Sequence, residues 1–174
     1  TKYAFAALRT DDTVVTWGSS LSGGDSNSVS SQLKNIKTIF SNNYSFAALK
    51  TDGSVVTWGR EFYGGNSSSV TSKLSSGVSH IYSTNNAFAA LKTDGSVVTW
   101  GSTSAGGDSS SVASDLEDGV IAFANPYTDD WLGGILINGT SNNDTLQGSG
   151  GHDTINGLEG SDTYSVRGKF NDYL

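Results

Sequence analysis

The chain has 174 residues and a formal charge of −7, and its ten Lys and Arg are scattered singly, which argues against a phosphate-gripping, nucleic-acid surface. It has no cysteine, which excludes disulfides, thiol catalysis and Cys-based zinc sites together, and no apolar run approaches the ~20 residues of a membrane span. With 35% apolar residues, 22 Gly and a single Pro, the composition predicts many short strands joined by turns, an all-β chain of one domain or one plus a small module.

In chain order, the first feature is residues 5–18, reading FAALRTDDTVVTWG, which recurs as FAALKTDGSVVTWG at 46–59 and again at 88–101. The tryptophans closing the copies, Trp17, Trp58 and Trp100, lie 41 and 42 residues apart. A fixed period of that length marks a repeat architecture, in which one supersecondary unit cannot bury its apolar face alone. Within the unit, Ala87-Phe88-Ala89-Ala90-Leu91 alternates large and small side chains, as a strand with two unlike faces does. Asp94-Gly95 then predicts a hairpin turn whose Gly takes positive φ, and Ser96-Val97-Val98-Thr99-Trp100 is the returning strand. The first copy has Asp12 where the others have Gly53 and Gly95, so its turn is expected to be the weakest.

Upstream of the hairpins, Ile36 with Ile39-Phe40, Val78 with Ile81-Tyr82, and Val120 with Phe123 predict a third strand per unit. Between units runs a polar loop opening on Gly-Gly (Gly23-Gly24, Gly64-Gly65, Gly106-Gly107), with one helical turn expected where Val70 and Leu74 share a face. The repeated tryptophans are read as core filling, since the same residue in every copy is what packing asks for; stacking on a ligand is the other reading. After each Trp-Gly the copies diverge, to Ser19-Ser20-Leu21-Ser22, Arg60-Glu61-Phe62-Tyr63 and Ser102-Thr103-Ser104-Ala105. Varied loops on a constant scaffold are where repeat proteins hold partners, and Arg, Phe and Tyr are anchor types. Arg60, Glu61, Phe62 and Tyr63 are therefore candidate partner contacts, with drift in a loop tip as the bland alternative.

The pattern Ala48-Leu49, Asp52-Gly53, Val55, Trp58-Gly59 resembles the repeat of the regulator-of-chromosome-condensation propeller superfamily, over residues 1–124. The short period and three-strand unit are closer still to its bacterial β-lactamase-inhibitor propellers. This chain departs from the family in having Gly-Gly followed by Asp or Asn where the family has Gly-Gln-Leu-Gly. The resemblance implies a partial β-propeller of three blades, near 3–35, 36–77 and 78–119, plus a strand at 120–124. Seven blades are usual in that family. Starting inside a repeat and lacking Met, the chain is expected to be a fragment with further repeats before Thr1; oligomerisation and an open array are the alternatives.

Residues 125–137 break the period and read as a linker, with Ile135-Leu136-Ile137 a short strand leading into a second repeat. From Gly139 the chain runs GTSNNDTLQ, GSGGHDTIN, GLEGSDTYS. Asp144, Asp153 and Asp162 fall nine apart, each followed two residues on by Leu146, Ile155 or Tyr164. That spacing fits the template of a parallel β-roll that binds calcium. Residues 138–165 resemble the hemolysin-type, or repeats-in-toxin, family, with 166–174 as a tail. A hard dication wants six to eight oxygens, which a Gly-rich turn supplies from backbone carbonyls and its closing Asp from a carboxylate. The candidate ligands are Asp144, Asp153 and Asp162, with the carbonyls of Gly139, Ser141, Asn143, Gly148, Gly150, His152, Gly157 and Gly160. The resemblance implies that calcium sits between a turn and the next but one, so Asp144 and Asp162 share a full site and Asp153 has half of one. The His152 side chain, with no second His nearby, is read as a solvent-facing loop residue. Between Asn138 and Tyr164 stand Asp144, Asp153, Glu159 and Asp162 with no Lys or Arg, so folding of this stretch is expected to be calcium-linked.

The hemolysin-type resemblance implies an extracellular or bacterial cell-surface protein exported by type I secretion. Three functions stay open: a propeller that binds other macromolecules, protein or surface glycan, as an adhesin or matrix component; an inhibitor or dedicated partner of another protein; and the C-terminal part of a secreted hydrolase. No catalytic motif stands in these residues: there is no H-E-x-x-H and no G-x-S-x-G, and the two histidines, His80 and His152, fall in different modules. The expectation is a non-enzymatic stretch.

Overall fold

A computed structural model describes residues 1–123, 136–138, 140–143, 145–147, 154–156, 158, 160–161 and 163–165. The chain divides into two units, Thr1–Phe123 and Ala124–Leu174. Among the described residues it is an all-β protein.

In the first unit, β1 (Ala4–Leu8) and β2 (Val14–Gly18) form a two-stranded antiparallel sheet. β3 (Ile36–Ser41), β4 (Ser45–Lys50) and β5 (Val55–Gly59) form a three-stranded one, as do β6 (Val78–Ser83), β7 (Ala87–Lys92) and β8 (Val97–Gly101). The three sheets correspond to the three sequence copies, with the predicted third strand present in the second and third. The hairpin chemistry repeats as well. Asp52 Oδ1 accepts from the Ser54 N–H at 2.9 Å and from Ser54 Oγ at 2.6 Å, and Gly53 stands at φ 76°. Asp94 with Ser96 and Asp11 with Thr13 make the same local bonds, as Asp does when it mimics a backbone turn. Asp12 takes φ 60° in the first copy, a left-handed conformation that Gly adopts without the steric cost.

Paired residues of each hairpin stack their rings: Phe5 on Trp17, Phe46 on Trp58 and Phe88 on Trp100, with centroids 5.1 to 5.2 Å apart. The Phe46–Trp58 pair then sits on the loop of the preceding copy. Trp58 Nε1 donates to the Gly23 carbonyl at 3.0 Å, and a Cβ at Gly23 would lie 2.6 Å from Phe46 Cδ2. Trp100 donates to the Gly64 carbonyl at 3.1 Å in the same way. The Gly-Gly loops, read from sequence only as connectors, are thus the seats on which the next sheet's aromatic pair rests. Two apolar clusters fill the spaces between sheets. One gathers Leu33, Ile36, Phe46, Ala48, Val56 and Trp58 with Ala4; the other gathers Phe40, Leu49, Leu74, Ile81, Phe88, Val98 and Trp100. Ala47, Ala48 and Ala90 are fully buried, and their small size lets neighbouring sheets approach closely. The helical turn expected near Val70 is present as Ser68–Val70, extended by a bond from the Leu74 N–H to the Val70 carbonyl.

Two expectations need correction. Among the described residues core filling holds for Trp58 and Trp100, both 3% exposed, and not for Trp17, which is 51% exposed with no Gly-Gly loop against it. The strand expected at 120–124 is absent over 120–123, with Ala124 outside the described residues. β3 and β6 form by pairing with the hairpin that follows each of them. Residues 120–123 have no such hairpin among the described residues.

In the second unit, β9 (Leu136–Asn138) pairs in parallel with β11 (Thr154–Asn156), and β10 (Thr145–Gln147) pairs in parallel with β12 (Thr163–Ser165). Strands two repeats apart are neighbours, and consecutive strands belong to different sheets. This is the short parallel β-roll pattern.

Candidate functional site

The varied loops of the first unit all fold alike, as single 3-10 turns at Ser20–Ser22, Glu61–Tyr63 and Thr103–Ala105. Each is clamped at both ends to the bend before the middle strand of its own copy. At the start, the N–H groups of Ser19, Arg60 and Ser102 donate to the carbonyls of Tyr3, Tyr44 and Asn86. At the end, Thr1 Oγ1, Asn42 Nδ2 and Thr84 Oγ1 donate to the carbonyls of Ser22, Tyr63 and Ala105 at 3.1, 2.6 and 2.8 Å. The backbone is constant, so only the side chains differ from copy to copy.

In the second copy those side chains converge. The Tyr44 and Tyr63 rings lie 5.0 Å apart, and the Arg60 guanidinium stands 5.5 Å from the Tyr44 centroid and 4.9 Å from that of Tyr63. Tyr3, from the first copy, extends the row with its ring 6.2 Å from Tyr44. Each cation–π contact at such an exposed site is worth about 0.5–1 kcal/mol, enough to hold the Arg flat against the rings. Phe62 projects beside them, 78% exposed, and Glu61 Oε1 accepts from Asn66 Nδ2 at 3.2 Å. Of the four residues singled out from sequence, Arg60 and Tyr63 are brought together. Phe62 stands free in solvent, and Glu61 turns to the following loop. Tyr44 and Tyr3 were missed. Their signal was a second point of divergence, Tyr3, Tyr44 and Asn86, immediately before the middle strands.

In the second unit, Asp144, Asp153 and Asp162 lie outside the described residues, as do Gly139, Gly148, Gly150, His152 and Gly157. Ser141, Asn143 and Gly160 are described, and two observations locate their turns. The Ser161 N–H donates to Asn143 Oδ1 at 2.8 Å across 18 residues of sequence. Gly160, at φ 128°, comes so close to the first turn that a Cβ there would stand 2.5 Å from the Asn142 carbonyl oxygen. Residues 140–143 and 160–161 are therefore stacked, in step with the 18-residue pairing of β10 and β12. An oxygen-rich pair of turns with no basic residue suits a hard dication.

Residues 136–165 match the family model described as RTX calcium-binding nonapeptide repeat (4 copies). The segment is a calcium-binding repeat. No curated protein matches the chain. Calcium is thus the ion of the second unit, and the parallel pairing at an 18-residue interval is the backbone on which its nonapeptide turns are carried. Among the described residues no helix is long and apolar enough to cross a membrane.

Proposed function

We propose that this is a secreted calcium-binding repeat protein whose first unit is a scaffold for holding another macromolecule, a protein or a surface glycan, in the manner of an adhesin or matrix component. The observation that carries the binding role is the row of Arg60, Tyr63, Tyr44 and Tyr3, with Arg60 and Tyr3 exposed, Tyr44 and Tyr63 half-buried and the exposed Phe62 beside them, mounted on a backbone that repeats without change. The exposed rings of Tyr3 and Phe62 suit the apolar faces of sugar rings and the side chains of protein partners alike, and Arg60, propped on Tyr44 and Tyr63, adds directional hydrogen bonds. The three sheets are read as three blades of propeller type, and the role as binding rather than catalytic.

In the second unit, Asp144 and Asp162, spaced by the same 18 residues as the paired strands, share a calcium ion with turn carbonyls that include those of Ser141, Asn143 and Gly160. Asp153 supplies half of a second site. Outside a cell, where calcium is plentiful, the acidic turns are neutralised and the roll folds; the location follows as extracellular or bacterial cell surface.

The binding reading is tested with the whole chain on a glycan array and in pull-downs from culture supernatant. Arg60→Ser with Phe62→Ser and Tyr63→Ser abolishes capture while the first unit still unfolds cooperatively, its midpoint lowered only by the lost ring and cation–π contacts, about 1–2 kcal/mol. Unaltered capture by the triple variant would overturn it.

A further inference from the structure

The second copy, which has a neighbour on either side, departs from the others at three positions that act together. Arg60 stands where they have Ser19 and Ser102, Glu61 where they have Ser20 and Thr103, and Asn66 where they have Asp25 and Asp108. The turn at residue 66 does not need an amide. In all three copies the side-chain oxygen of Asp25, Asn66 or Asp108 accepts from the N–H two residues on, at 2.8 to 2.9 Å. What Asn66 adds is a donor: its Nδ2 donates to Glu61 Oε1 at 3.2 Å. A carboxylate in its place would meet Glu61 as a like charge and release it.

Arg60, by contrast, is fixed in position with its charge unanswered. Its N–H donates to the Tyr44 carbonyl at 3.1 Å, and its carbonyl accepts from the N–H groups of Tyr63 and Gly65 and from Ser45 Oγ, at 3.0 to 3.1 Å. The guanidinium is propped on the rings of Tyr44 and Tyr63, so much of the rotamer freedom that an Arg loses on binding is already lost. Among the described residues the ion pairs are Arg9–Asp11 and Lys50–Asp52, and no carboxylate pairs with Arg60. The acid next to it in sequence, Glu61, is tied to Asn66. An exposed, pre-positioned fork of N–H donors therefore stands beside Phe62, 78% exposed on the same turn. Such a fork matches the two oxygens of a carboxylate.

Resting on the reading that this row holds a partner, we propose that its ligand is an acidic saccharide of uronate type. The sugar carboxylate pairs with Arg60, a ring face packs on Phe62, and Asn66 keeps the site open by holding Glu61 off the cation. A uronate carries a carboxylate and an apolar ring face within one residue, which Arg60 and Phe62 engage together; an acidic peptide side chain offers the first without the second. The formal charge of −7 opposes an anion from afar, but beyond about 10 Å it is screened at ordinary ionic strength, and the fork acts at contact.

The test titrates the full chain, at constant calcium, with trigalacturonate and with its neutral trimethyl ester, by calorimetry. Wild type binds the acid about tenfold more tightly than the ester, the worth of one charge-assisted pair. Arg60→Gln brings the acid down to the level of the ester. Asn66→Asp, which keeps its turn as Asp25 and Asp108 do, weakens the acid and not the ester, and Glu61→Gln added to it restores the difference. A merely structural Asn66 cannot give that rescue. Acid and ester bound alike, or acid binding indifferent to Arg60→Gln, overturns the inference and leaves the row as an uncharged platform, its binding role intact. So does capture of a protein by the chain with neither trisaccharide bound. An Asn66→Asp chain that binds the acid as wild type does overturns the role given to Asn66. Capture unaltered by the triple variant at Arg60, Phe62 and Tyr63 removes the binding role itself, and this inference with it.

Discussion

Gly64 and Phe88 are in such close contact that a Cβ added at Gly64 would stand 2.6 Å from Phe88 Cδ2, with the backbone held at φ 99°. Both facts make the position intolerant. Crowding a packed ring costs about 1–3 kcal/mol, and a non-Gly residue in the left-handed region roughly 1–2 more. Gly64→Ala should therefore lower the stability of the first unit by on the order of 2–5 kcal/mol, read from urea unfolding. Gly106→Ala, at a similar φ but with no atom of the described residues within 4 Å of the added Cβ, should cost only the backbone part, about 1–2 kcal/mol. Equal losses at the two positions would mean that the glycines serve their own loops and not the neighbouring sheet.

The three repeat tryptophans, identical in sequence, should behave differently. Trp100 is buried and bonded to Gly64, so Trp100→Ala should cost about 3–5 kcal/mol. Among the described residues Trp17 is half exposed and stacked on Phe5, and Trp17→Ala should cost on the order of 0.5–1.5 kcal/mol. Parallel chemical denaturation of the two variants at low protein concentration makes the comparison.

Sequence reasoning reached the repeat and its hairpins because three copies superimpose their errors: the Asp-Gly turns, the alternating alanines and the upstream third strands recur at fixed places. It could not tell how deeply each copy's aromatic pair is covered among the described residues. Trp17 and Trp58 have the same flanking letters, and their exposure is decided by whether a Gly-Gly loop lies opposite. The same blindness produced the strand at 120–124, since β propensity in Val120 and Phe123 is not enough where no partner hairpin follows among the described residues. Gly23, Gly64 and Gly106 were visible as a fixed feature, yet a glycine that admits another sheet's ring looks in sequence like one that merely bends a loop. Tyr44 was missed because contact between two loops of one copy is set by the clamping bonds of Asn42 and Arg60, which no periodicity reveals. In the tail, the resemblance carried by the nine-residue repeats implied that a turn meets the next but one, and the strands pair at the same 18-residue interval.

His80 supplies a pH dependence. It lies edge-on to Phe40 at 4.9 Å and beside Tyr82 at 4.6 Å, and burial, then the positive charge of Lys37, holds its pKa below the ordinary histidine value. The unfolded chain takes up a proton near pH 6.5 and the folded chain only lower, so in that window the unfolded state binds more protons. Stability should be full above about pH 6.5 and fall as the pH drops toward the folded pKa. His80→Gln should flatten this step in the urea midpoint between pH 7 and 5. A further loss at lower pH belongs to Asp52 and Asp94, whose pKa values are held down by their bonds to Ser54 and Ser96, and it should survive the His80 substitution.

Calcium should govern the second unit and leave the first alone. Asp144, Asp153, Glu159 and Asp162 have no basic residue among them, so in chelator their mutual repulsion opposes the stacking of residues 140–143 on 160–161. A dication held between the turns replaces that repulsion with attraction, and binding free energy becomes folding free energy. The full chain should gain β signal in circular dichroism on adding calcium, with a midpoint on the order of 0.1–1 mM, as extracellular sites show. Each tenfold excess of calcium over that midpoint adds about 1.4 kcal/mol to the stability of the second unit. Asp144→Ala with Asp162→Ala should abolish the gain, while Asp153→Ala, which on the proposed arrangement removes half a site, should reduce it less. The unfolding of the first unit, followed through the buried Trp58 and Trp100, should not move. A wild-type spectrum indifferent to calcium would remove the basis for a calcium-dependent roll. Loss in Asp153→Ala equal to that in the double variant would show that the ion is not shared between turns 18 residues apart.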